Sequence, residues 1–131
     1  MSKKVSICTV GTAPPLVAQG LAAHFEVMTE ANMEVRGLAV CGGHTRIDAP
    51  FVELFPRLEI VSSFGVGYDH IDAASLAKRG IVVTHTPDVL TGEVADLAVG
   101  LLIATVRQLP QVERYLRAGK WLQAPYPLTR H

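Results

Sequence analysis

The stretch LEIVSSFGVGYDHIDAASLAKRGIVVT, residues 58–84, decides the fold. It opens with the short β-prone run Leu58–Ser62, which reads as a strand. Gly65-Val66-Gly67 ends that strand. Asp72 offers a side-chain acceptor to the first turn of a helix over Ala73–Arg79. Gly80 suits the left-handed position just past that helix. Ile81–Thr84 is a second short apolar strand. Strand, capped helix and strand in under thirty residues make one βαβ unit, whose two strands lie parallel.

The pattern repeats toward the N-terminus. Val5–Val10 reads as a buried strand ended by Gly11. Pro14-Pro15 opens a helix over Leu16–His24, because the first helical turn needs no amide donors. Phe25–Met28 and Val35–Val40 are two further strands. Ala31–Glu34 between them is a turn or a very short helix, and Cys41-Gly42-Gly43 closes the second. Asp48 caps a helix over Ala49–Leu54 that carries Pro50 in its first turn. Apolar strands without alternation, joined by helices, predict a parallel sheet with helices on both faces. The order β-α-β-β-α-β-α-β fits a flavodoxin-like sheet of strand order 2-1-3-4-5.

The organisation changes at Pro87-Asp88-Val89-Leu90, which divides the chain into residues 1–90 and 91–131. Thr91 is the expected N-cap of a long helix over Gly92–Gln108, with Glu93 and Asp96 placing negative charge on its first turns. Val94, Leu97, Val99, Leu101, Leu102, Ile103 and Val106 cover nearly its whole circumference. A surface helix shows one apolar stripe, so this one needs cover on more than one side. A second helix is expected over Gln111–Ala118. The ending WLQAPYPLTRH, with two prolines and no periodicity, reads as a linker.

Composition narrows the function classes. The 131 residues are 49% apolar and 18% charged, which excludes intrinsic disorder. Lys plus Arg and Asp plus Glu are 12 each, so the net charge is zero. That balance argues against a nucleic-acid partner. Residues 1–90 hold 7 basic and 9 acidic side chains and residues 91–131 hold 5 and 3, so neither part is a charged tail. No apolar run is long enough to span a bilayer. Cys8 and Cys41 sit in apolar runs and suggest a reducing, cytoplasmic setting rather than a disulfide scaffold.

Gly65-Val66-Gly67-Tyr68-Asp69-His70, with Asp88 about twenty residues on, imitates the dinucleotide fingerprint G-x-G-x-x-G. Its third position is His70, however, where glycine normally permits close helix–strand packing. A glycine-rich turn after a parallel strand can instead offer backbone N–H groups to a small anion such as a carboxylate. The same turn can equally be a tight bend whose glycines serve backbone geometry alone. The residues leave both readings open. Cys41 and His44 have C-x-x-H spacing but lack two further clustered ligands, so no metal site is expected. His70 reads as a packing or hydrogen-bonding residue. His85 faces the same sheet edge without a carboxylate partner in sequence. No G-x-S-x-G elbow is present. Gly11-Thr12-Ala13 stands where a response regulator would need an acidic pair.

The elements VGYDHID, RGIVV, TPDVLT, VADLAVGLL and RAGKW, in this order over residues 58–122, resemble the D-isomer-specific 2-hydroxyacid dehydrogenases. The likeness is greatest to their glyoxylate/hydroxypyruvate reductase branch. The resemblance implies a flavodoxin-like substrate lobe over residues 1–90. Residues 91–131 would then be interdomain helices and a linker leading to a Rossmann lobe that binds NAD or NADP. It puts the substrate carboxylate on the backbone N–H groups of Val66 and Gly67. It makes Leu90 an apolar wall of the pocket and Thr91 a cofactor-proximal residue. Cys41 and Gly42 lie at the same edge and are further pocket candidates. Phe64 departs from the small polar residue usual before this turn. The family's own G-x-G-x-x-G and its catalytic Arg, Glu and His fall beyond His131, so this chain alone is expected to be inactive and none of its histidines is assigned that role. The helix Gly92–Gln108 would make a homodimer. The alternative is a stand-alone flavodoxin-like module that binds a ligand or partner without catalysis.

Overall fold

The computed structural model describes residues 4–127. The chain forms two compact units, Met1–Val89 and Leu90–His131. The first unit runs β1 (Ser6–Gly11), α1 (Pro15–His24), β2 (Glu26–Met28), β3 (Gly37–Cys41), α2 (Ala49–Val52), β4 (Ile60–Ser63), α3 (Ala73–Lys78) and β5 (Val82–Thr84). The five strands make one parallel sheet in the order β2-β1-β3-β4-β5, as the sequence predicts.

The strands begin later than their apolar runs. Val35, Leu58 and Ile81 are buried but precede the ladder, and their amides donate to the carbonyls of Asn32, Phe55 and Leu76. A turn residue can plug the core as well as a strand residue can, so hydrophobicity overruns the strand ends. The helix caps follow the sequence. Asp48 accepts from the Phe51 amide at 3.2 Å and Asp72 from the Ser75 amide at 3.0 Å. Gly80, at φ +76°, closes α3 with Gly80 N–H to Ala77 O and Ile81 N–H to Leu76 O, a paired C-terminal lock. Helix α2 stops at Val52 rather than Leu54. Pro56 disfavours helical geometry at the residue before it and so keeps the helix from continuing.

In register across the sheet, Cys8, Leu38, Val61 and Val83 form one row. This row packs with Val52, Phe55, Ile71 and Leu76 into the core. The other face is only half covered. Val17 and Leu21 of α1 lie over Ile7 and Ala39, leaving a groove of about 360 Å³. On that face Ile60, Ser62, Val82 and Thr84 of β4 and β5 stay exposed. Cover on both faces, the sequence-based expectation, therefore holds for β1 and β3 but not for the β4–β5 edge.

The second unit holds α4 (Thr91–Val106), α5 (Leu109–Arg117) and a 3₁₀ turn at Lys120–Leu122. Thr91 is not the N-cap: Leu90 occupies that position, Thr91 is the first helical residue, and no side chain caps α4. Helix α4 ends at Val106 because Gln108 takes a left-handed conformation, φ +53°. Helix α5 starts two residues before the expected Gln111, with Pro110 in its first turn. The segment after α5 is not a bare linker. The Tyr115 hydroxyl donates to Ala124 O, the Tyr126 hydroxyl donates to Gln108 Oε1, and the two rings meet edge to face. Residues 128–131 of the expected linker lie outside the described residues. No helix among the described residues is long and apolar enough to cross a membrane.

Candidate anion-binding cleft

Parallel strands deliver their loops to one edge, and here β3 and β4 both end in glycine-rich turns. Between them lies a cleft of about 480 Å³ lined by Gly42, Gly43, Ser63, Phe64, Gly65, Gly67, Asp69 and His70. The rule for open α/β sheets favours the point where strand order reverses, between β1 and β3. There Gly11 runs close against β3, where a Cβ on it would sit 2.1 Å from the Cys41 carbonyl oxygen. The opening falls one strand further along.

Gly42 has φ +115°, a conformation that demands glycine. Gly65 and Gly67 do not lie in the left-handed region. A Cβ on Gly65 would meet Gly67 O at 3.7 Å, and one on Gly67 would meet Asp69 Oδ2 at 3.7 Å, both ordinary contacts. The backbone therefore does not require glycine at either position. What glycine leaves there is space at the mouth of the cleft.

The carbonyls of this turn are largely engaged. Gly65 O accepts from the Thr86 amide at 3.1 Å, Val66 O lies 2.9 Å from His85 Nδ1, Tyr68 O accepts from Ile71, and His70 O accepts from Ile47. The Val66 and Gly67 amides donate to no group among the described residues. Engaged carbonyls beside free amides make a local excess of donors.

Val66 is exposed and Gly67 lines the cleft. Gly42 lines the same cleft as Gly67. Cys41 is only 7% exposed and lines the groove under α1 instead. Burial pushes the Cys41 and Cys8 thiols up, so both are neutral at physiological pH, and both are free. Leu90 and Thr91 belong to the second unit, at the start of α4. Sequence reasoning left out Ser63 and Asp69 as cleft residues and read His70 as a packing or hydrogen-bonding residue, not as part of the cleft lining. His70 does pack on Gly43, where a Cβ would lie 3.6 Å from Nδ1, but its Nε2 is buried without a partner among the described residues. The turn after β3 and the D-H pair after the glycines were the available signals. Their meeting depends on β3 and β4 being neighbours.

The turn departs from the dinucleotide fingerprint in two places. His70 stands at the third position, and its ring packs beside Gly43, where a Cβ would lie 3.6 Å from Nδ1. The first turn of α3 is occupied by the Asp72 carboxylate, which would repel a pyrophosphate. No group of three or more His, Cys, Asp or Glu side chains is placed to hold a metal among the described residues.

Fold and cleft together define a parallel α/β domain with a donor-rich turn at the carboxyl edge of its sheet. Residues 22–121 match the family described as D-isomer specific 2-hydroxyacid dehydrogenase, catalytic domain, and the chain belongs to that family. It is 54% identical over 82 residues to a glyoxylate/hydroxypyruvate reductase A of Arabidopsis thaliana, covering 63% of this chain and 26% of the relative. It also resembles the crystal structure of an NADPH-dependent glyoxylate/hydroxypyruvate reductase from Sinorhizobium meliloti in complex with citrate. There the TM-score is 0.82 at 43% identity, over 98% of this chain and 43% of that one. A structure of the same enzyme with NADP and malonate aligns at TM-score 0.77 and 42% identity, again over 98% of this chain and 43% of that one. The chain thus spans about a quarter of the curated relative and under half of the solved one.

Proposed function

We propose that this chain is the substrate-holding part of an NAD(P)-dependent oxidoreductase that reduces small 2-keto acids, such as glyoxylate or hydroxypyruvate, to D-2-hydroxy acids. One observation carries the reading: Gly65 and Gly67 are not needed for backbone conformation, and the amides of Val66 and Gly67 are left without acceptors. An incoming carboxylate accounts for both, since it needs room and two donors.

In this proposal Val66 and Gly67 N–H groups hold the carboxylate and fix the keto carbon's position. Gly42 adds room to the same cleft, and the substrate and cofactor roles that the family resemblance gives Leu90 and Thr91 fall to the start of the helical unit. The nicotinamide supplies a hydride and is held mainly outside this chain. Choice between NADH and NADPH rests with that other part. The exposed apolar surface of α4 pairs two copies, and the free buried thiols suit a reducing, cytoplasmic setting. The chain alone gives no turnover, because positioning and proton transfer each contribute orders of magnitude to rate.

The test is a titration of the ¹⁵N-labelled chain with malonate, followed by amide correlation spectra. The Val66 and Gly67 resonances are expected to move together and saturably. Spectra that leave both unmoved refute the carboxylate assignment. Steady oxidation of NADPH with glyoxylate by the 131-residue chain would refute the division of labour.

A further inference from the structure

We infer that His85 is a positioning residue that aims the two free amides of the Val66–Gly67 turn into the cleft. The inference rests on the carboxylate reading above and extends it to a residue that touches no substrate.

The geometry is that of the peptide plane. In a trans peptide the carbonyl of one residue and the N–H of the next point in opposite directions, and the described residues contain no cis bond. The Val66 N–H therefore points away from the Gly65 carbonyl, and the Gly67 N–H away from the Val66 carbonyl. Both carbonyls are tied to the same short segment after β5. Gly65 O accepts from the Thr86 backbone amide at 3.1 Å, and Val66 O meets His85 Nδ1 at 2.9 Å. Two consecutive residues thus clamp two consecutive peptide planes by their backs. The two N–H groups on the opposite side are the pair left without acceptors.

Of these two ties, only the one from His85 is made by a side chain. A carbonyl accepts and cannot donate, so His85 must carry hydrogen on Nδ1. Its ring is steadied by Tyr68, whose centroid lies 4.7 Å away at a 50° tilt. Tyr68 follows Gly67 directly, so the turn also braces the ring that braces it. Without the Nδ1 donor, the Val66–Gly67 plane is free to rotate. Rotation turns its carbonyl oxygen toward the cleft, where it would repel a carboxylate.

Long-range ¹⁵N spectra of the histidine rings read the tautomer directly, with no ligand present. A protonated Nδ1 and an unprotonated Nε2 are expected for neutral His85, and the reverse tautomer overturns the inference. His85→Phe keeps a ring against Tyr68 and removes the donor. His85→Asn places an amide donor near the position of Nδ1. Malonate affinity is expected to fall about two- to tenfold in His85→Phe, the range for one hydrogen bond, and to recover most of the way in His85→Asn. Equal affinity in His85→Phe and the parent overturns the inference, as does an equal loss in both variants. Should the parent chain fail to bind malonate at all, the carboxylate reading falls, and the tautomer still decides whether His85 holds the turn. Faster hydrogen exchange at Gly67 in His85→Phe, restored in His85→Asn, is the matching ligand-free readout.

Discussion

Helix α3 and helix α4 are both rich in apolar residues, yet they meet opposite fates. Leu76 of α3 is fully buried against the sheet, while every large apolar side chain of α4 is between 40% and 63% exposed. Helix α3 carries one large apolar residue, Leu76, and α4 carries seven. The supply of cover differs too: α3 returns onto a sheet built by the same βαβ unit, whereas the described residues of α4 and α5 offer α4 no second apolar layer. Hydrophobicity states that a surface needs covering. It does not state where the cover comes from.

Truncation on the two helices is the most direct way to break this contrast. Leu76→Ala is expected to cost about 2–5 kcal/mol, the usual penalty for a core leucine, measured by urea unfolding. Leu102→Ala, at a residue 63% exposed, should stay within about 0.5 kcal/mol when measured at monomer concentrations. At higher concentration α4 should drive self-association, since large exposed apolar patches are unusual on stable monomers. A two-fold pairing lets one patch cover its own copy. Light scattering should find a dimer for the parent chain and a monomer for Leu102→Glu. A parent chain that stays monomeric removes the pairing role assigned to α4.

The caps sharpen the same comparison at a smaller scale. Asp72→Ala should destabilise by about 1 kcal/mol, the common value for losing an N-cap, because its carboxylate bonds the Ser75 amide. Thr91→Ala should be close to neutral, because no side chain caps α4. Chemical denaturation of both variants checks the pair. A loss at Thr91 equal to that at Asp72 would mean that its hydroxyl does cap the helix.

The smallest effect belongs to the surface pair Arg36–Glu59, which is bidentate with both N–O distances at 2.8 Å. The hydrogen bond from Arg36 holds the Glu59 carboxyl below its ordinary value of 4.5. A lowered folded-state value stabilises the fold above that ordinary value, and the contribution is lost as pH falls through the lowered one. Both groups are solvent-exposed, so the contribution is small and falls with salt. Melting temperatures of the parent and Glu59→Gln should differ slightly near neutral pH and converge in acid. A gap that widens in acid contradicts the assignment.

Much of this protein is legible in residues alone. Strand and helix order, the parallel sheet, the caps at Asp48 and Asp72 and the left-handed Gly80 all follow from local chemistry, since each depends on neighbours within a few positions. The donor-rich turn was visible as Gly65-Val66-Gly67, but its two readings could not be separated there. Weighing them takes the partners of the turn's carbonyls, Thr86 and His85, which lie about twenty residues further along the chain. The same holds for the partner of His85, which proved to be a carbonyl rather than a carboxylate. It also holds for His70 against Gly43 across two loops, and for the close approach of Gly11 to Cys41. Local pattern determines the elements because helices and turns satisfy their own hydrogen bonds. Only tertiary structure decides which loops share an edge, and so which amides are left free to bind.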